Sequence, residues 1–313
     1  MSENIFSMVF PGQGSQAVGM SAELAGSYPI VQQTYAAASE ALGFDLWSLM
    51  QDGPVERLNQ TENTQPAMLA AGVAVWRVWQ QEQGPAPAWL AGHSLGEYTA
   101  LVCAGSLGFE DAVRLVSERG KFMQSAVPQG SGSMAAILGL DDDAVKDVCQ
   151  SAASGEVVEA VNFNSPGQVV IAGDKAAVDR ACDLAKQAGA KRALPLPVSV
   201  PSHCALMKPA AERLAERLSE IQISAPTIPV IHNVNVAQAE DPETIRELLA
   251  AQLYSPVRWV ETVRKMAEAG SVSLVEAGPG KVLAGLTKRI DKSLSGLAVY
   301  DTKSLTQALE ALQ

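Results

Sequence analysis

Short apolar runs that end in glycine turns recur along the chain. Residues 5–10 form one such run before the turn at residues 11–14, and residues 88–91 form another before Gly92-His93-Ser94-Leu95-Gly96. Helical spacing of apolar residues follows these turns, over residues 30–42, 66–81 and from the second turn to residue 103. Strand, tight glycine turn and helix in alternation predict an α/β domain with a parallel sheet.

The middle of the chain has a different order of elements. Its pattern predicts strands over residues 134–140, 157–163, 168–172 and 191–198, with helices over residues 141–149 and 175–188. The order β-α-β-β-α-β is the ferredoxin-like pattern. We therefore expect residues 130–198 to form a small ferredoxin-like subdomain, inserted into a large α/β-hydrolase-like domain made of residues 1–129 and 199–313.

The α/β pattern returns in the last third of the chain. The predicted helices and strands there cover residues 205–220, 228–233, 242–253, 256–269 and 271–276, followed by a helix that ends at residue 290. No internal repeat is visible. This return supports a large domain that is discontinuous in sequence.

Composition narrows the classes of function. The 313 residues include 47% hydrophobic and 18% charged residues and carry a net charge of −11, which is typical of a globular protein and unfavourable for binding nucleic acid or an anionic membrane. The N-terminus has no basic region before its apolar residues, so we expect no secretory signal. The four cysteines, scattered and without zinc-ligand spacing, predict reduced thiols, a cytoplasmic protein and no metal site. They are Cys103, Cys149, Cys182 and Cys204.

Residues 92–96 match the G-x-S-x-G pattern of a nucleophile elbow. In such an elbow the serine, here Ser94, lies on a sharp turn between a strand and a helix. Side chains at Gly92 and Gly96 would collide with the neighbouring strand and helix. The backbone N–H of Leu95 would point into the site and stabilise an oxyanion. The alternative is an ordinary tight turn with a helix-capping serine.

A serine nucleophile needs a base, and the chain has three histidines. His93 adjoins Ser94 and would point in another direction, whereas His232 lies in a predicted strand and is better explained as a structural histidine. His203 lies in a loop that leads into a helix, where functional side chains are often presented. His203 is therefore the leading candidate, and Cys204 beside it is better explained as a small buried thiol.

Arg119 lies on the apolar face of the helix predicted over residues 111–127. The apolar residues at helical spacing on this face are Ala112, Val116, Met123 and Ala126. A buried guanidinium is costly unless it is paired. Arg119 would therefore hold a ligand carboxylate through two parallel hydrogen bonds, pair with an internal carboxylate, or extend its charged end to the surface.

The segment Pro11-Gly12-Gln13-Gly14-Ser15-Gln16 contains G-x-G without the third glycine of a dinucleotide fingerprint. It is a weak candidate for a cofactor site. It is a plausible loop whose backbone N–H groups approach a reacting oxygen. The chain contains no Walker A sequence, so nucleoside triphosphate chemistry is not supported.

Together these segments resemble the bacterial malonyl-CoA:acyl carrier protein transacylases of type II fatty acid synthesis, over nearly the whole chain. The segments that carry the resemblance are 9–16, 92–97, 119–123, 162–168, 201–204, 252–254 and 276–280. The resemblance implies a ping-pong transfer in which Ser94 accepts the malonyl group. It also implies that His203 is the base and later the general acid, and that Arg119 anchors the malonyl carboxylate.

The resemblance implies roles for three further positions. The backbone N–H groups of Gln13 and Leu95 would be the oxyanion donors, and the carbonyl of Gln252 would orient His203 where a hydrolase has an acid. The small subdomain would form one wall of the cleft. No cofactor is implied, because the coenzyme A thioester is a substrate.

The implied partners are malonyl-CoA and an acyl carrier protein. Carrier proteins of this kind are acidic, so we expect docking on a local basic face formed by Lys281, Lys288 and Arg289, with Lys191 or Arg192 across the cleft. The alternative is an ordinary solvated face. Three other functions stay open: the malonyl transferase of a malonate decarboxylase system, a serine thioesterase or esterase, and a non-catalytic carrier-binding subunit.

Overall fold

The computed structural model describes residues 5–198 and 200–312, and its larger part is built around a parallel five-stranded sheet. The strands of this sheet are β1 (Phe6–Phe10), β2 (Trp89–Gly92), β7 (Val230–Ile231), β8 (Ser273–Ala277) and β9 (Ser295–Val299). They lie side by side in the order β7-β2-β1-β8-β9. Strand β1 has all five residues buried, as expected for a central strand that is covered on both faces.

Helices surround this sheet. Those before the small subdomain are α1 (Ala22–Ser27), α2 (Pro29–Leu42), α3 (Leu46–Asp52), α4 (Val55–Leu58), α5 (Thr61–Gln81), α6 (Gly96–Cys103) and α7 (Phe109–Ser125). Those after it are α10 (Lys208–Ser219), α11 (Pro242–Ala251), α12 (Trp259–Glu268), α13 (Val282–Ile290) and α14 (Thr302–Leu312). Short 3₁₀ helices cover Ala205–Met207 and Gln252–Tyr254. None of the helices within residues 5–198 and 200–312 has the length and apolar character to cross a bilayer.

A second, antiparallel sheet lies between α7 and α10 in sequence. Its strands are β3 (Gly132–Leu138), β4 (Val158–Ser165), β5 (Gln168–Asp174) and β6 (Arg192–Pro195), in the order β4-β5-β3-β6. Helices α8 (Asp142–Ala153) and α9 (Lys175–Gln187) complete the β-α-β-β-α-β order and share an apolar core with the sheet. The predicted fold class is therefore confirmed: a large α/β domain with a parallel sheet and a small ferredoxin-like subdomain.

The boundaries at residues 129/130 and 198/199 remain a prediction. The predicted segment ends at residues 1, 199 and 313 lie outside the described residues.

The small subdomain is hydrogen-bonded to the large one through the edge of β4. The backbone N–H of Phe163 donates to the carbonyl of Val257 at 3.0 Å, and the N–H of Val257 donates to the carbonyl of Val161 at 2.8 Å. A register irregularity between Ala160 and Asn162 interrupts the pairing of β4 with β5 at this point. Strand β4 therefore connects the two lobes beside the cleft between them.

Helix α5 begins five residues earlier than the predicted start at residue 66. Its first turn is polar in sequence, and Pro66 is typical of a helix start, whereas the predicted helix covered only residues 66–81. The polar side chains of this turn are nevertheless buried and hydrogen-bonded: Thr64 Oγ1 donates to the carbonyl of Leu58 at 2.5 Å, and Asn63 Nδ2 donates to that of Arg57 at 2.9 Å. Tertiary hydrogen bonds therefore extend the helix beyond its apolar segment.

In the last third of the chain one further prediction differs from the structure, and two elements were not predicted. The strand predicted over residues 228–233 contains only Val230–Ile231, because His232 and Asn233 leave the sheet and bond to Glu97. Strand β9 and helix α14 were not predicted from the sequence.

Candidate active site

Ser94 lies on the turn between β2 and α6 with a backbone φ of 52°, which is the left-handed region that non-glycine residues rarely adopt. A Cβ atom on Gly92 would lie 1.8 Å from the carbonyl carbon of Gly96, and one on Gly96 would lie 2.0 Å from the carbonyl oxygen of Phe10. Neither position can accept a side chain without displacing backbone. The predicted strand–turn–helix elbow is confirmed, and it is tightly packed on both sides.

His203 is the histidine that contacts Ser94. Its Nε2 lies 2.7 Å from Ser94 Oγ, and its Nδ1 lies 2.8 Å from the carbonyl oxygen of Gln252. A carbonyl can only accept, so Nδ1 carries the proton in the neutral ring and Nε2 is free to accept the Ser94 hydroxyl proton. His203 has a φ of 68°, and its backbone N–H donates to the carbonyl of Leu253 at 2.9 Å. The segment that contains Gln252 therefore holds both the ring and the backbone of His203.

Burial, and to a smaller extent the positive charge of Arg119, lower the pKa of His203 from 6.5 to about 3. His203 is only 2% exposed, so an imidazolium there would lose most of its hydration. The hydrogen bond to Gln252 acts in the opposite direction but carries no formal charge. The imidazole is therefore neutral at physiological pH, as a general base must be before it takes a proton.

Arg119 projects from α7 into the same site and is 1% exposed. Its Nη1 donates to Gln65 Oε1 at 2.7 Å, and its Nη2 donates to Gln252 Oε1 at 2.9 Å and lies 3.4 Å from Ser94 Oγ. Burial lowers the pKa of Arg119, with contributions from Tyr98 and Glu97 that oppose the shift. The position of Arg119 on the buried face is thus confirmed. Among the described residues Arg119 neither extends its charged end to the surface nor pairs with an internal carboxylate.

Gln13 and Leu95 line the same cavity as Ser94, Arg119 and His203, and its volume is about 890 Å³. Gly12 lets the loop at residues 11–14 approach the elbow closely: a Cβ atom there would lie 2.5 Å from the carbonyl oxygen of His93. Leu95 is the residue before α6, so its N–H belongs to the positive end of a helix that starts at the nucleophile. Both predicted oxyanion positions are thus brought to the cleft.

Glu97 is a buried carboxylate behind the site, to which sequence analysis assigned no role. Its Oε2 accepts from Gln252 Nε2 at 2.8 Å and from the backbone N–H of Asn233 at 2.9 Å, and its Oε1 lies 2.7 Å from Nδ1 of His232. Glu97 therefore holds the side chain of Gln252. The signal in the sequence was a charged residue at the start of the otherwise uncharged helix α6.

Asn233 braces the elbow from the large domain and was also missed. Its Oδ1 accepts from the backbone N–H of Ser94 at 2.8 Å, and its Nδ2 donates to the carbonyl of Gly92 at 2.7 Å. From the small subdomain, Asn164 Oδ1 lies 2.8 Å from Nε2 of His93. The elbow is therefore held from both lobes, through residues whose sequence neighbours give no hint of the contact.

The side chains that were less favoured as base or nucleophile are His93, His232 and Cys204, and each lies in an environment typical of a structural residue. His232 is fully buried against Glu97, and His93 is bonded to Asn164, as expected for structural histidines. Burial raises the pKa of Cys204 to about 12, and its thiol donates to the carbonyl of Pro201 at 3.1 Å. A thiol with so high a pKa is a poor nucleophile, which agrees with the interpretation of Cys204 as a small buried residue.

The basic residues predicted for carrier docking are exposed. They are Lys191, Arg192, Lys281, Lys288 and Arg289. Arg289 Nη1 donates to Gln168 Oε1 at 3.1 Å, which connects α13 with the small subdomain. Among the described residues no cluster of His, Cys, Asp and Glu side chains could hold a metal ion.

Comparison with known proteins identifies relatives over almost the entire chain. Residues 7–305 match the family model of the acyl transferase domain. The malonyl CoA-acyl carrier protein transacylase of Escherichia coli K12 is 61% identical over 305 residues, which are 97% of this chain and 99% of the relative. The transacylase of the same name from Bacillus subtilis is 46% identical over 97% of this chain and 96% of the relative.

Comparison with solved structures identifies the same kind of relative. The crystal structure of an acyl carrier protein S-malonyltransferase from Vibrio cholerae is 64% identical, with a TM-score of 0.95, and covers 97% of this chain and 99% of its own. A structure of a type II PKS acyl-carrier protein in complex with its malonyl-transacylase is 60% identical, with a TM-score of 0.97, and covers 98% and 99%.

An elbow serine that contacts a histidine on an α/β scaffold is the arrangement of enzymes that transfer an acyl group through a serine ester. The match to the family model agrees with this class. The chain belongs to the malonyl CoA-acyl carrier protein transacylase family.

Proposed function

We propose that this protein transfers the malonyl group of malonyl-CoA to the pantetheine thiol of an acyl carrier protein through a malonyl ester on Ser94, in fatty acid biosynthesis. One observation carries the proposal: Ser94 Oγ lies 2.7 Å from Nε2 of His203 and 3.4 Å from Nη2 of Arg119. A base and a buried cation therefore both lie close to one hydroxyl group. The names of the relatives support this choice of donor and carrier.

In the first half-reaction Ser94 Oγ attacks the thioester carbon while its proton moves to Nε2 of His203. The backbone N–H groups of Gln13 and Leu95 stabilise the negative charge that forms on the carbonyl oxygen. When the carbon–sulfur bond breaks, the coenzyme A sulfur takes the proton from His203 and leaves as a thiol. Coenzyme A is thus a substrate, and no cofactor takes part.

In the second half-reaction the pantetheine thiol gives its proton to His203 and attacks the ester. Ser94 Oγ then leaves and recovers the proton, so the enzyme returns to its starting state. Throughout, the carbonyl of Gln252 keeps Nδ1 of His203 protonated. The guanidinium of Arg119 holds the free carboxylate of the malonyl group.

The charge of the site separates this function from a serine thioesterase or esterase. A buried cation beside the nucleophile suits an acyl group that ends in a carboxylate, and Nδ1 of His203 bonds a carbonyl rather than an acid. The malonyl transferase of a malonate decarboxylase system would use the same site with another carrier. We propose a cytoplasmic location, which agrees with the four buried free cysteines of the described chain.

Mass spectrometry after mixing with malonyl-CoA tests the nucleophile. The wild-type protein should gain one malonyl group on Ser94, and Ser94→Ala should gain none and lose transfer by several orders of magnitude. Cys204→Ala is the matched control, because this thiol adjoins His203 and should not be needed for the adduct. A stable active-site adduct in Ser94→Ala would contradict the proposal. Hydrolysis of malonyl-CoA as fast as its transfer to a carrier would favour the thioesterase.

A further inference from the structure

The guanidinium of Arg119 is held by two neutral carboxamides. Nη1 donates to Oε1 of Gln65 at 2.7 Å, and Nη2 donates to Oε1 of Gln252 at 2.9 Å. The ring centroid of Tyr98 lies 5.3 Å from the guanidinium carbon. The nearest carboxylate in this network, Glu97, is separated from Arg119 by the side-chain amide of Gln252.

Besides Arg119, the Gln65 amide contacts Thr61 and the sulfur of Met123, and the contact with Thr61 sets its orientation. Its Nε2 donates to Oγ1 of Thr61 at 3.0 Å, and Thr61 Oγ1 donates to Oε1 of Gln13 at 2.9 Å. The Thr61 hydroxyl uses its single proton on Gln13, so it can only accept from Gln65. The carbonyl oxygen of Gln65 must therefore face Arg119. The residue is 1% exposed, so water does not compete for this contact.

A neutral acceptor and a charged one would have different consequences at this position. An amide oxygen fixes the direction of the guanidinium and leaves its positive charge uncompensated. A carboxylate of the same shape would form an internal ion pair, which a substrate carboxylate would have to displace inside a buried site. The choice of glutamine over glutamate therefore preserves the charge of Arg119 for a ligand.

We propose that Gln65 is a specificity-determining positioning residue, which orients Arg119 without neutralising it and so selects acyl groups that end in a carboxylate over neutral acyl groups. This inference rests on the proposed function of Ser94 and Arg119. In this proposal the net charge of the acyl site depends on Gln65 as well as on Arg119, because a neutral acceptor leaves the arginine charge free for the ligand.

Gln65→Glu tests this charge balance. Acylation of Ser94 by malonyl-CoA and by acetyl-CoA is measured separately by mass spectrometry, without any carrier. The ratio of the malonyl rate to the acetyl rate should fall by about 100-fold, because the new carboxyl group pairs with Arg119. Gln80→Glu is the matched control, since it adds the same charge at an exposed position of the same helix and should leave the ratio unchanged.

A pH profile separates this role from a merely structural one. The charge of Arg119 helps to lower the pKa of His203, so pairing Arg119 with a carboxylate should raise that pKa. The acidic limb of acetyl transfer to Ser94 should therefore move to higher pH in Gln65→Glu. A structural defect would lower the rate at every pH and leave the limb in place.

If circular dichroism shows that Gln65→Glu does not fold, Gln65→Met takes its place in the test. It removes the acceptor without adding charge, so the malonyl-to-acetyl ratio should fall by about tenfold with no shift of the acidic limb. Equal losses for both substrates in the folded variants would overturn the role of Gln65, while a malonyl adduct in the wild-type protein would leave the proposed function standing. Absence of that adduct in the wild-type protein would instead overturn the proposed function.

Discussion

The carbonyl oxygen of Gln252 accepts the Nδ1 proton of His203 at 2.8 Å, in the position where serine hydrolases have a carboxylate. The carbonyl fixes the tautomer as an acid would, but it offers no negative charge to an imidazolium. The buried carboxylate of Glu97 contacts the side-chain amide of the same glutamine, 2.8 Å from its Nε2, and not the ring of His203. The base is therefore oriented without being made more basic.

The first prediction concerns the pH dependence of Ser94 acylation. Because burial and the charge of Arg119 lower the pKa of His203 from 6.5 to about 3, the base stays neutral through mildly acidic pH. The rate of acylation, followed by mass spectrometry, should show its acidic limb well below pH 6.5. Acetyl-CoA is the control substrate, since its acyl group carries no titrating carboxyl. An acidic limb at or above pH 6.5 with both substrates would be incompatible with this environment of His203.

The second prediction concerns the brace of the elbow. Asn233→Ala removes the partners of the Ser94 N–H and the Gly92 carbonyl, which lie 2.8 and 2.7 Å from the asparagine side chain. Each buried group left unpaired costs about 1–3 kcal/mol, so the free energy of unfolding should fall by a few kcal/mol in denaturant titrations. Ser94 acylation should also slow. The exposed Asn235→Ala is the control, and an equal effect of both variants would refute the brace.

The third prediction concerns Glu276, which is fully buried at the end of β8. Burial raises its pKa from 4.5 to about 7, although Oε2 accepts from the N–H of Ala284 at 2.7 Å. The folded protein thus holds this proton more tightly than the unfolded chain. Its contribution to stability is full below pH 4.5 and is lost as the pH rises through about 7.

Glu276→Gln stays neutral and should remove this pH dependence. The variant should be more stable than the wild-type protein at pH 8, by up to about 3 kcal/mol in urea unfolding, with a smaller difference at pH 5.5. The exposed Glu268→Gln should follow the wild-type protein at both pH values. A difference between Glu276→Gln and the wild-type protein that does not change with pH would contradict the raised pKa.

The fourth prediction concerns the carrier. The double reversal of Lys288 and Arg289 to glutamate should slow transfer from malonyl-Ser94 to an acidic carrier by about tenfold at low ionic strength and weaken its salt dependence, because association loses electrostatic attraction. Malonylation of Ser94 by malonyl-CoA should change far less. The double reversal of Lys265 and Lys303, both exposed, gives the same change in net charge at other surfaces. If both half-reactions slow equally, or neither does, the carrier docks elsewhere.

The local pattern of the chain was sufficient to predict the elements whose sequence signal is itself local. The apolar run of β1, the glycine elbow around Ser94 and the apolar stripe of α7 can each be recognised from residues that are close together in the sequence. The same pattern placed Arg119 on the buried face, since helical spacing alone decides which residues share a face. Proline and polarity misled at the start of α5, where the hydrogen bonds that hold the first turn involve buried side chains.

The partners of the site residues were decided by the tertiary structure alone. Gln65 and Gln252 lie 54 and 133 residues from Arg119 in the chain, and Asn233 lies 139 residues from Ser94. The sequence by itself determined which side chains could act as nucleophile, base and anchor, because those roles depend on residue type and local turn. Only the folded chain decided that the anchor is held by neutral amides and the base by a carbonyl. Such contacts form between segments that are distant in sequence, and no local periodicity encodes them.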